Sequence, residues 1–202
     1  MIKFLPITLI SLLSSCSSLD YSYFSDFKNA FERNTIEVSD VYIENAPYSF
    51  IKVSYSRNEA IFVLSKISSS GIEEWIGSNY EVIKTKNGLI VETQGLDSDI
   101  KFYSTDFNNL MELAQFSSYV NLYNPDIIYE KIDFKSKDTD LVQSGESDLN
   151  SNIQVIKFQR KSSKIGWSSK DTYFYKNGVV VKSIQKINPL REPLTIDFYY
   201  KF

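Results

Sequence analysis

The sequence predicts a mainly β protein: a curved antiparallel sheet, or an incomplete barrel or sandwich, with an N-terminal helix and one further short helix. Aromatic residues are abundant, with 14 Tyr, 14 Phe and 2 Trp against 7 Gly and 5 Pro, and aromatic residues favour strands. Apolar and polar residues alternate over much of the chain after residue 35, which is the period of a half-buried strand. Two Asn-Gly pairs, each between strand-like segments, predict tight hairpins.

Residues 1–15 have the pattern of a bacterial lipoprotein signal peptide. Lys3 supplies a positive charge and the following residues to position 13 are mostly apolar, a run too short to cross a bilayer as a helix, which takes about 20 residues. Leu13-Ser14-Ser15-Cys16 resembles a lipobox, in which small residues fit the signal peptidase and the thiol accepts a diacylglyceryl group. We therefore predict cleavage before Cys16 and anchoring through its acyl chains, such as palmitate.

The residue after the cysteine predicts which membrane holds the lipid anchor. In lipoproteins of diderm bacteria an Asp at that position resembles an inner-membrane retention signal, and Ser17 occupies it here. We therefore predict an outer-membrane anchor and a single periplasm-facing, β-rich domain over residues 16–202. That length is enough to form one domain with a sizeable core.

The mature chain is predicted to begin with an amphipathic helix over residues 20–33, because three phenylalanines recur there at helical spacing. The period of the apolar residues then changes to two. Strands are expected over residues 36–38, 51–55 and 59–67.

Two hairpins are predicted from a shared turn sequence. Residues 80–93 and 173–183 each contain Lys-Asn-Gly followed by an aliphatic triplet. Asn87-Gly88 and Asn177-Gly178 supply the two positive-φ positions of a type I′ turn. Convergence on a favoured turn explains this similarity as well as duplication would.

The middle of the chain is predicted to hold a second helix and a long loop. Apolar residues at helical spacing mark the helix over residues 105–116, and residues 127–134 return to a strand pattern. Residues 135–152 are polar and poor in aromatics, which predicts a long loop. Residues 194–202 form the clearest strand, with one buried and one wet face. The prediction comprises roughly eight to ten strands in all.

Composition excludes several kinds of site. The chain has no His and one Cys, so a Ser-His-Asp triad, a Cys-His dyad, an imidazole metal site and an intramolecular disulfide are excluded. A net charge of −3 with scattered basic residues argues against nucleic-acid binding. The pairs Asp97/Asp99 and Asp138/Asp140 alternate in predicted loops and could hold Ca²⁺, but they lack the Gly and distant Glu of an EF-hand loop, which favours solvated loop charge. No metal and no cofactor are therefore predicted.

The adjacent carboxylates Glu73 and Glu74 are the remaining catalytic candidates. On a strand, adjacent residues face opposite sides of the sheet. A glycosidase needs two carboxyl groups about 5–9.5 Å apart across a sugar, and nothing in the sequence places two carboxyl groups in that way. We therefore predict that the protein is not an enzyme. A polysaccharide-modifying enzyme is the further alternative, and it requires paired carboxylates in a cleft.

A set of short motifs, in a fixed order along most of the mature chain, carries a family resemblance: Ala46-Pro47-Tyr48-Ser49, Trp75 within Glu-Glu-Trp, the Asn87-Gly88 hairpin, Trp167 followed by the second hairpin, and Pro193 before the terminal strand. Together with the lipobox, they resemble the YjbF/GfcB family of lipoproteins, which is associated with group 4 capsule and exopolysaccharide production. Residues 104–152 match this pattern poorly.

The resemblance implies a mostly antiparallel β fold and a role in making or exporting a surface polysaccharide. It implies an accessory subunit that works beside an outer-membrane β-barrel protein and other polysaccharide-export proteins, and it brings no catalytic motif. The alternative is a periplasmic carrier whose curved sheet holds a lipid or another hydrophobic ligand. A carrier requires a continuous apolar cavity of about 300–1,000 Å³, and tethering argues against a shuttle.

Aromatic side chains are the candidate contacts for polysaccharide. Trp75, Trp167 and Tyr48 are candidate platforms on which sugar rings stack, and Tyr173 and Tyr175 could assist them. The alternative is that these residues fill the core.

A local basic cluster is a second candidate, formed by Lys157, Arg160, Lys161 and Lys164. It could meet acidic polysaccharide or anionic headgroups. The alternative is an ordinary wet strand face and turn.

Overall fold

The computed structural model describes residues 36–104, 110–143 and 152–201. Within them the chain forms a closed antiparallel barrel, in which each strand pairs with the one before it and the last strand pairs with the first. The twelve strands are β1 (Phe50–Tyr55), β2 (Asn58–Ile67), β3 (Glu73–Ile76), β4 (Val82–Lys86), β5 (Leu89–Gln94), β6 (Ile100–Phe102), β7 (Gln115–Leu122), β8 (Ile127–Gln143), β9 (Asn152–Ser162), β10 (Trp167–Lys176), β11 (Val179–Gln185) and β12 (Leu194–Tyr199).

Two short helices accompany the barrel in the described residues: α1 (Asp40–Asn45) and the 3-10 helix η1 (Leu110–Glu112). The Oγ of Ser39 caps α1 by accepting the backbone N–H of Tyr42. Tyr42 meets Phe50 edge-on, and Phe50 stacks on Tyr199, so α1 covers the outer side of the seam between β1 and β12. Neither helix has the length and apolar character needed to cross a membrane, and no other helix of the described residues does.

The core lies inside the barrel and receives side chains from every strand. On β12 the buried residues Leu194, Ile196 and Phe198 alternate with the half-buried Thr195 and Asp197. This is the predicted alternation of the terminal strand, and it arises because successive side chains of a strand point to opposite faces.

The turn between β4 and β5 contacts the opposite wall of the barrel. β5 and β11 are six strand positions apart in either direction around the barrel. Even so, Gln185 of β11 donates to the carbonyl of Gly88 at 2.7 Å and accepts the N–H of Ile90 at 3.0 Å. The hydroxyl of Tyr175 donates to the carbonyl of Asn87 at 2.9 Å. Protein groups therefore fill the barrel at this level.

The structure confirms a mainly β, antiparallel protein but not an incomplete barrel. β1 pairs with β12 over six residues, which closes the sheet, and the described strands outnumber the eight to ten predicted. Both predicted Asn-Gly hairpins are present, with positive φ at all four turn residues. The predicted helix over residues 20–33 lies outside the described residues.

Three local predictions are wrong. Residues 36–38 are not a strand and lead into α1. The described part of the predicted helix over residues 105–116 contains only η1, and β7 already begins at Gln115. The described part of the predicted loop over residues 135–152 is strand, since β8 runs to Gln143 and β9 begins at Asn152.

The loop error has a physical cause. The last residues of β8 pair with β9 but lie beyond the end of β7. A strand with a neighbour on one side only buries less apolar surface, so its sequence stays polar without ceasing to be a strand.

Candidate functional site

Trp75 lies in the barrel core. Its side chain is 0% exposed, and its Nε1 donates to the Oγ1 of Thr85 at 2.9 Å. Its ring makes edge contacts with Phe198 and Tyr200. Because protein atoms cover the whole side chain, Trp75 offers no open face to a sugar ring in this structure.

Trp167 is also buried, and its ring packs against the arginine of a buried ion pair. The guanidinium carbon of Arg160 lies 5.4 Å from the centre of the Trp167 ring and 5.0 Å from that of Phe134. Arg160 donates from Nε and Nη2 to the Oδ2 of Asp171 at 3.0 and 2.5 Å. Both charged side chains are fully buried, and each needs the other as a partner because an unpaired buried charge is strongly destabilising. The ring of Trp167 is therefore packed among core side chains and has little surface open to solvent.

The predicted basic cluster does not form one surface. Arg160 points into the barrel, whereas Lys161, its neighbour on β9, is exposed. Lys164 lies in the following turn, 3.7 Å from the carboxylate of Glu130. Lys157 is half-buried. Strand alternation separates the one arginine of the cluster from its lysines.

The other predicted site residues have different surroundings. Tyr48 is 43% exposed just before β1 and stays a candidate stacking surface. Tyr173 and Tyr175 are buried, and burial raises the pKa of both hydroxyls, which keeps them protonated as hydrogen-bond donors. Cys16 lies outside the described residues, so its lipidation stays a prediction.

Glu73 and Glu74 point to opposite faces of β3, as predicted. Glu73 accepts hydrogen bonds from the hydroxyls of Thr85 at 2.7 Å and Tyr200 at 2.9 Å. Burial raises the pKa of the Glu73 carboxyl. Glu74 pairs with Lys66 at 3.2 Å on the outside. The two carboxylates therefore cannot act together on one substrate.

The predicted aspartate pairs take part in the fold. Asp99 closes the loop between β5 and β6 by accepting two backbone N–H groups and a threonine hydroxyl. Asp97 pairs with Arg191 at 2.7 Å. Asp138 and Asp140 belong to β8 and not to a loop. In residues whose side chains are described, no group of three or more potential metal ligands occurs.

Another set of side chains comes together on the outer surface of β7, β8 and β9, at positions that alternate with buried ones. We define this β7–β9 face by Gln115, Ser117, Tyr119, Tyr129, Lys131, Asp133, Lys135, Lys137, Gln159 and Lys161, together with Tyr103, which directly follows β6. Tyr119 is directly opposite Lys131, and Asp133 is directly opposite Lys161. Opposed residues on neighbouring strands have Cβ atoms about 5 Å apart, so aromatic and charged groups are neighbours here.

Three tyrosines form an exposed cluster at one end of the β7–β9 face. The rings of Tyr119 and Tyr129 stack with centroids 4.4 Å apart, and Tyr103 meets Tyr129 edge-on at 5.2 Å. Asn121 donates to the hydroxyl of Tyr103 at 2.7 Å and accepts the N–H of Tyr129 at 2.9 Å. The three tyrosines are between 41% and 57% exposed. They are therefore held in position and open to solvent.

A groove of about 640 Å³ lies beside the tyrosine cluster. Its charged lining residues are Lys131, Lys135, Lys137, Lys161 and Asp133. Asp133 pairs with Lys131 at 3.1 Å, and hydrogen bonds from Ser117 and Lys131 lower the pKa of its carboxyl. No described carboxylate pairs with the other three lysines, so the groove is positive on a chain whose net charge is −3.

Sequence reasoning did not identify the β7–β9 face, although part of its signal is visible. Lys131, Asp133 and Lys135 occupy alternate positions in a segment largely predicted as a strand, which assigns them to one wet face. The contribution of β7 is not visible in the sequence pattern, because residues 105–116 predict a helix that overlaps the start of β7 and no strand is predicted over residues 117–122.

A second cleft lies between the β5–β6 loop and the connection from β11 to β12. Tyr55, Leu96 and Ile187 are among its lining residues, and its volume is about 40 Å³. Pockets that hold drug-sized ligands have about 300–1,000 Å³. This cleft is therefore too small for an acyl chain.

Comparisons with known proteins point to one family. The family model described as group 4 capsule polysaccharide lipoprotein GfcB, YjbF matches residues 24–198. A crystal structure of the hypothetical lipoprotein YmcC from Escherichia coli K12 is similar with a TM-score of 0.64 and 14% identity, over 88% of this chain and 96% of that chain. That similarity concerns the fold alone.

A crystal structure of a lipoprotein from Parabacteroides distasonis is similar with a TM-score of 0.34 and 13% identity, over 77% of this chain and 95% of that chain. No curated protein matches the chain.

Proposed function

Because this chain belongs to the YjbF family of group 4 capsule polysaccharide lipoproteins, we propose that it is a non-enzymatic accessory subunit in the production and export of a capsule or exopolysaccharide. The observation that carries this proposal is the family match over residues 24–198, which covers eleven strands completely and β12 up to Phe198. Glu73 and Glu74 point to opposite faces of β3 and so do not form an acid/base pair, which is consistent with a binding role.

The proposed location is the periplasmic face of the outer membrane, with acyl chains on Cys16 as the anchor. The lipobox supports lipidation, and Ser17 supports release from the inner membrane. A single acyl chain gives only marginal membrane binding, whereas two or more hold a protein stably. The proposed partners are an outer-membrane β-barrel protein and other polysaccharide-export proteins, which would contact the outer wall of this barrel because core side chains occupy its inside.

The carrier alternative has less support. It needs a continuous apolar cavity, and the small apolar cleft beside Leu96 has about 40 Å³. The groove of the β7–β9 face is larger but is lined by lysines, which suit an anionic ligand better than an acyl chain.

Deletion and complementation test the accessory role. We expect deletion of the gene to lower secreted polysaccharide and the wild-type chain to restore it. Cys16→Ser should restore little, because no other residue can accept the diacylglyceryl group. Ser14→Ala keeps a small residue in the lipobox and is the matched control, which should restore secretion fully. Incorporation of labelled palmitate reports lipidation for each variant.

Two results would contradict different parts of the proposal. Unchanged secreted polysaccharide after deletion would exclude the accessory role. Full restoration by Cys16→Ser would exclude the requirement for an anchor and leave the accessory role in place.

A further inference from the structure

We infer that the β7–β9 face binds an acidic glycan, with the tyrosine cluster as the stacking platform and the groove lysines as contacts for carboxylates on the sugar units. This inference rests on the proposed function, because it names the class of polymer and the surface that the accessory subunit would use.

The tyrosine cluster suits sugar binding because its rings are exposed and already fixed. The side chain of Asn121 donates to the hydroxyl of Tyr103 at 2.7 Å and accepts the backbone N–H of Tyr129 at 2.9 Å. The ring of Tyr119 stacks on that of Tyr129. Tyrosine offers a large amphipathic contact area and loses little conformational entropy on binding. The apolar face of a pyranose can pack on such a ring while the hydroxyls of the sugar and of tyrosine keep their hydrogen bonds.

The lysines specify the charge of the ligand. Asp133 engages Lys131, which leaves Lys135, Lys137 and Lys161 around the groove with no carboxylate partner in the described residues. Three such cations repel one another and attract an anionic polymer, and this attraction contrasts with the net charge of −3 on the whole chain. A neutral glycan would gain nothing from them.

The distance between the two parts sets a minimum length for the ligand. Tyr129 and Lys135 are six residues apart on β8, which corresponds to about 20 Å along a strand. A monosaccharide cannot reach both groups, so affinity should rise as an oligosaccharide lengthens until it spans the face. An anionic membrane surface would engage the lysines without this dependence on chain length.

The experiment measures binding of oligogalacturonates of increasing length to the purified mature chain by titration calorimetry. We expect affinity to rise with length, and dextran oligomers should bind much more weakly, because they are neutral and can stack on tyrosine but not pair with the lysines. Poly-glutamate and vesicles that contain phosphatidylglycerol are the comparison anions. Both should bind more weakly than the longest oligogalacturonate, because neither has a pyranose face to stack on tyrosine.

Two double variants test the two halves of the face. Tyr119→Ala/Tyr129→Ala removes the stacked pair and should weaken oligogalacturonate binding about tenfold. Lys135→Glu/Lys161→Glu should weaken it at least as much, and added salt should no longer weaken the binding that remains.

The matched controls are Tyr80→Ala, at a tyrosine that is 88% exposed elsewhere, and Lys66→Glu/Lys176→Glu on other strands; both should bind like the wild type. Circular dichroism and thermal unfolding confirm that every variant is folded.

The inference is overturned if the tyrosine variant binds like the wild type, or if poly-glutamate or the vesicles bind as tightly as the oligogalacturonate. It is also overturned if deletion lowers secreted polysaccharide but both double variants restore it fully, and in that case the accessory role stands. Unchanged secretion after deletion excludes the accessory role whatever the binding data show.

Discussion

The two Lys-Asn-Gly hairpins have the same turn geometry and different surroundings. Asn87 and Gly88 have φ values of 50° and 81°, and Asn177 and Gly178 have 53° and 79°. A Cβ on Gly88 would approach the Cγ2 of Val180 to 2.6 Å, whereas a Cβ on Gly178 would meet nothing within 4 Å. The first turn is packed inside the barrel and the second is exposed. Local sequence determines the turn type, and the rest of the fold determines what the turn contacts.

The second hairpin supplies the residues that hold the first turn. Tyr175 lies on β10, Val180 and Gln185 lie on β11, and all three meet the β4–β5 turn. The two copies of the motif are therefore not equivalent parts of the barrel, because one turn is bound by the strands of the other hairpin. Substitutions in the first turn should affect stability more than the same substitutions in the second.

The largest difference is expected for alanine at the two glycines. Gly88→Ala adds a Cβ that overlaps Val180 at a positive φ, and we expect a loss of about 3–4 kcal/mol in the free energy of unfolding. Gly178→Ala has the backbone strain without the overlap and should lose about 1–2 kcal/mol. Urea unfolding measures both variants.

A double variant identifies the source of that difference. Val180→Ala removes the Cγ methyl groups that a Cβ added at position 88 would meet, so Gly88→Ala should cost less in that background. Equal losses at Gly88 and Gly178, or no coupling to Val180, would show that the packing of the first turn is unimportant for stability.

A smaller loss is expected for Gln185→Leu, which is close to isosteric. Gln185 donates to the carbonyl of Gly88 and accepts the N–H of Ile90 in a fully buried site. Leucine leaves both backbone groups without these partners, and we expect a loss of about 3 kcal/mol by urea unfolding. Gln94→Leu, at the exposed end of β5, is the matched control and should change stability little. Comparable losses for the two variants would contradict a special role for Gln185.

The smallest loss is expected for Tyr175→Phe, which removes one hydroxyl and keeps the ring. The hydroxyl donates to the carbonyl of Asn87 at 2.9 Å, and its removal should lower the free energy of unfolding by about 1 kcal/mol. Tyr80→Phe, at an exposed tyrosine, should have no measurable effect. A neutral Tyr175→Phe would indicate that the first turn does not depend on this hydrogen bond.

Elements determined by short-range sequence were predictable, and those determined by distant contacts were not. Asn-Gly located both hairpins because the turn needs two positive φ values that these residues adopt easily. The closure of the barrel depends on the pairing of β1 with β12, which no local pattern specifies. The end of β8 lacked a signal because its polar sequence follows from having one neighbouring strand.

The candidate site could be predicted only in part, for a similar reason. Aromatic residues were recognised as possible sugar contacts, but the sequence does not show which of them are buried. Trp75 is enclosed by the core, whereas Tyr119 and Tyr129 are exposed and stacked. Exposure depends on which face of a strand is outside, and this information is missing for Tyr119 because no strand is predicted over residues 117–122.

Two hydrogen bonds join Gln185 of β11 to the β4–β5 hairpin, and they connect opposite walls of the barrel. A barrel without contacts across its interior can be flattened from one side, whereas hydrogen bonds between opposite walls resist that change of cross-section. Side chains on the outer surface, such as those of the β7–β9 face, then keep a constant spacing.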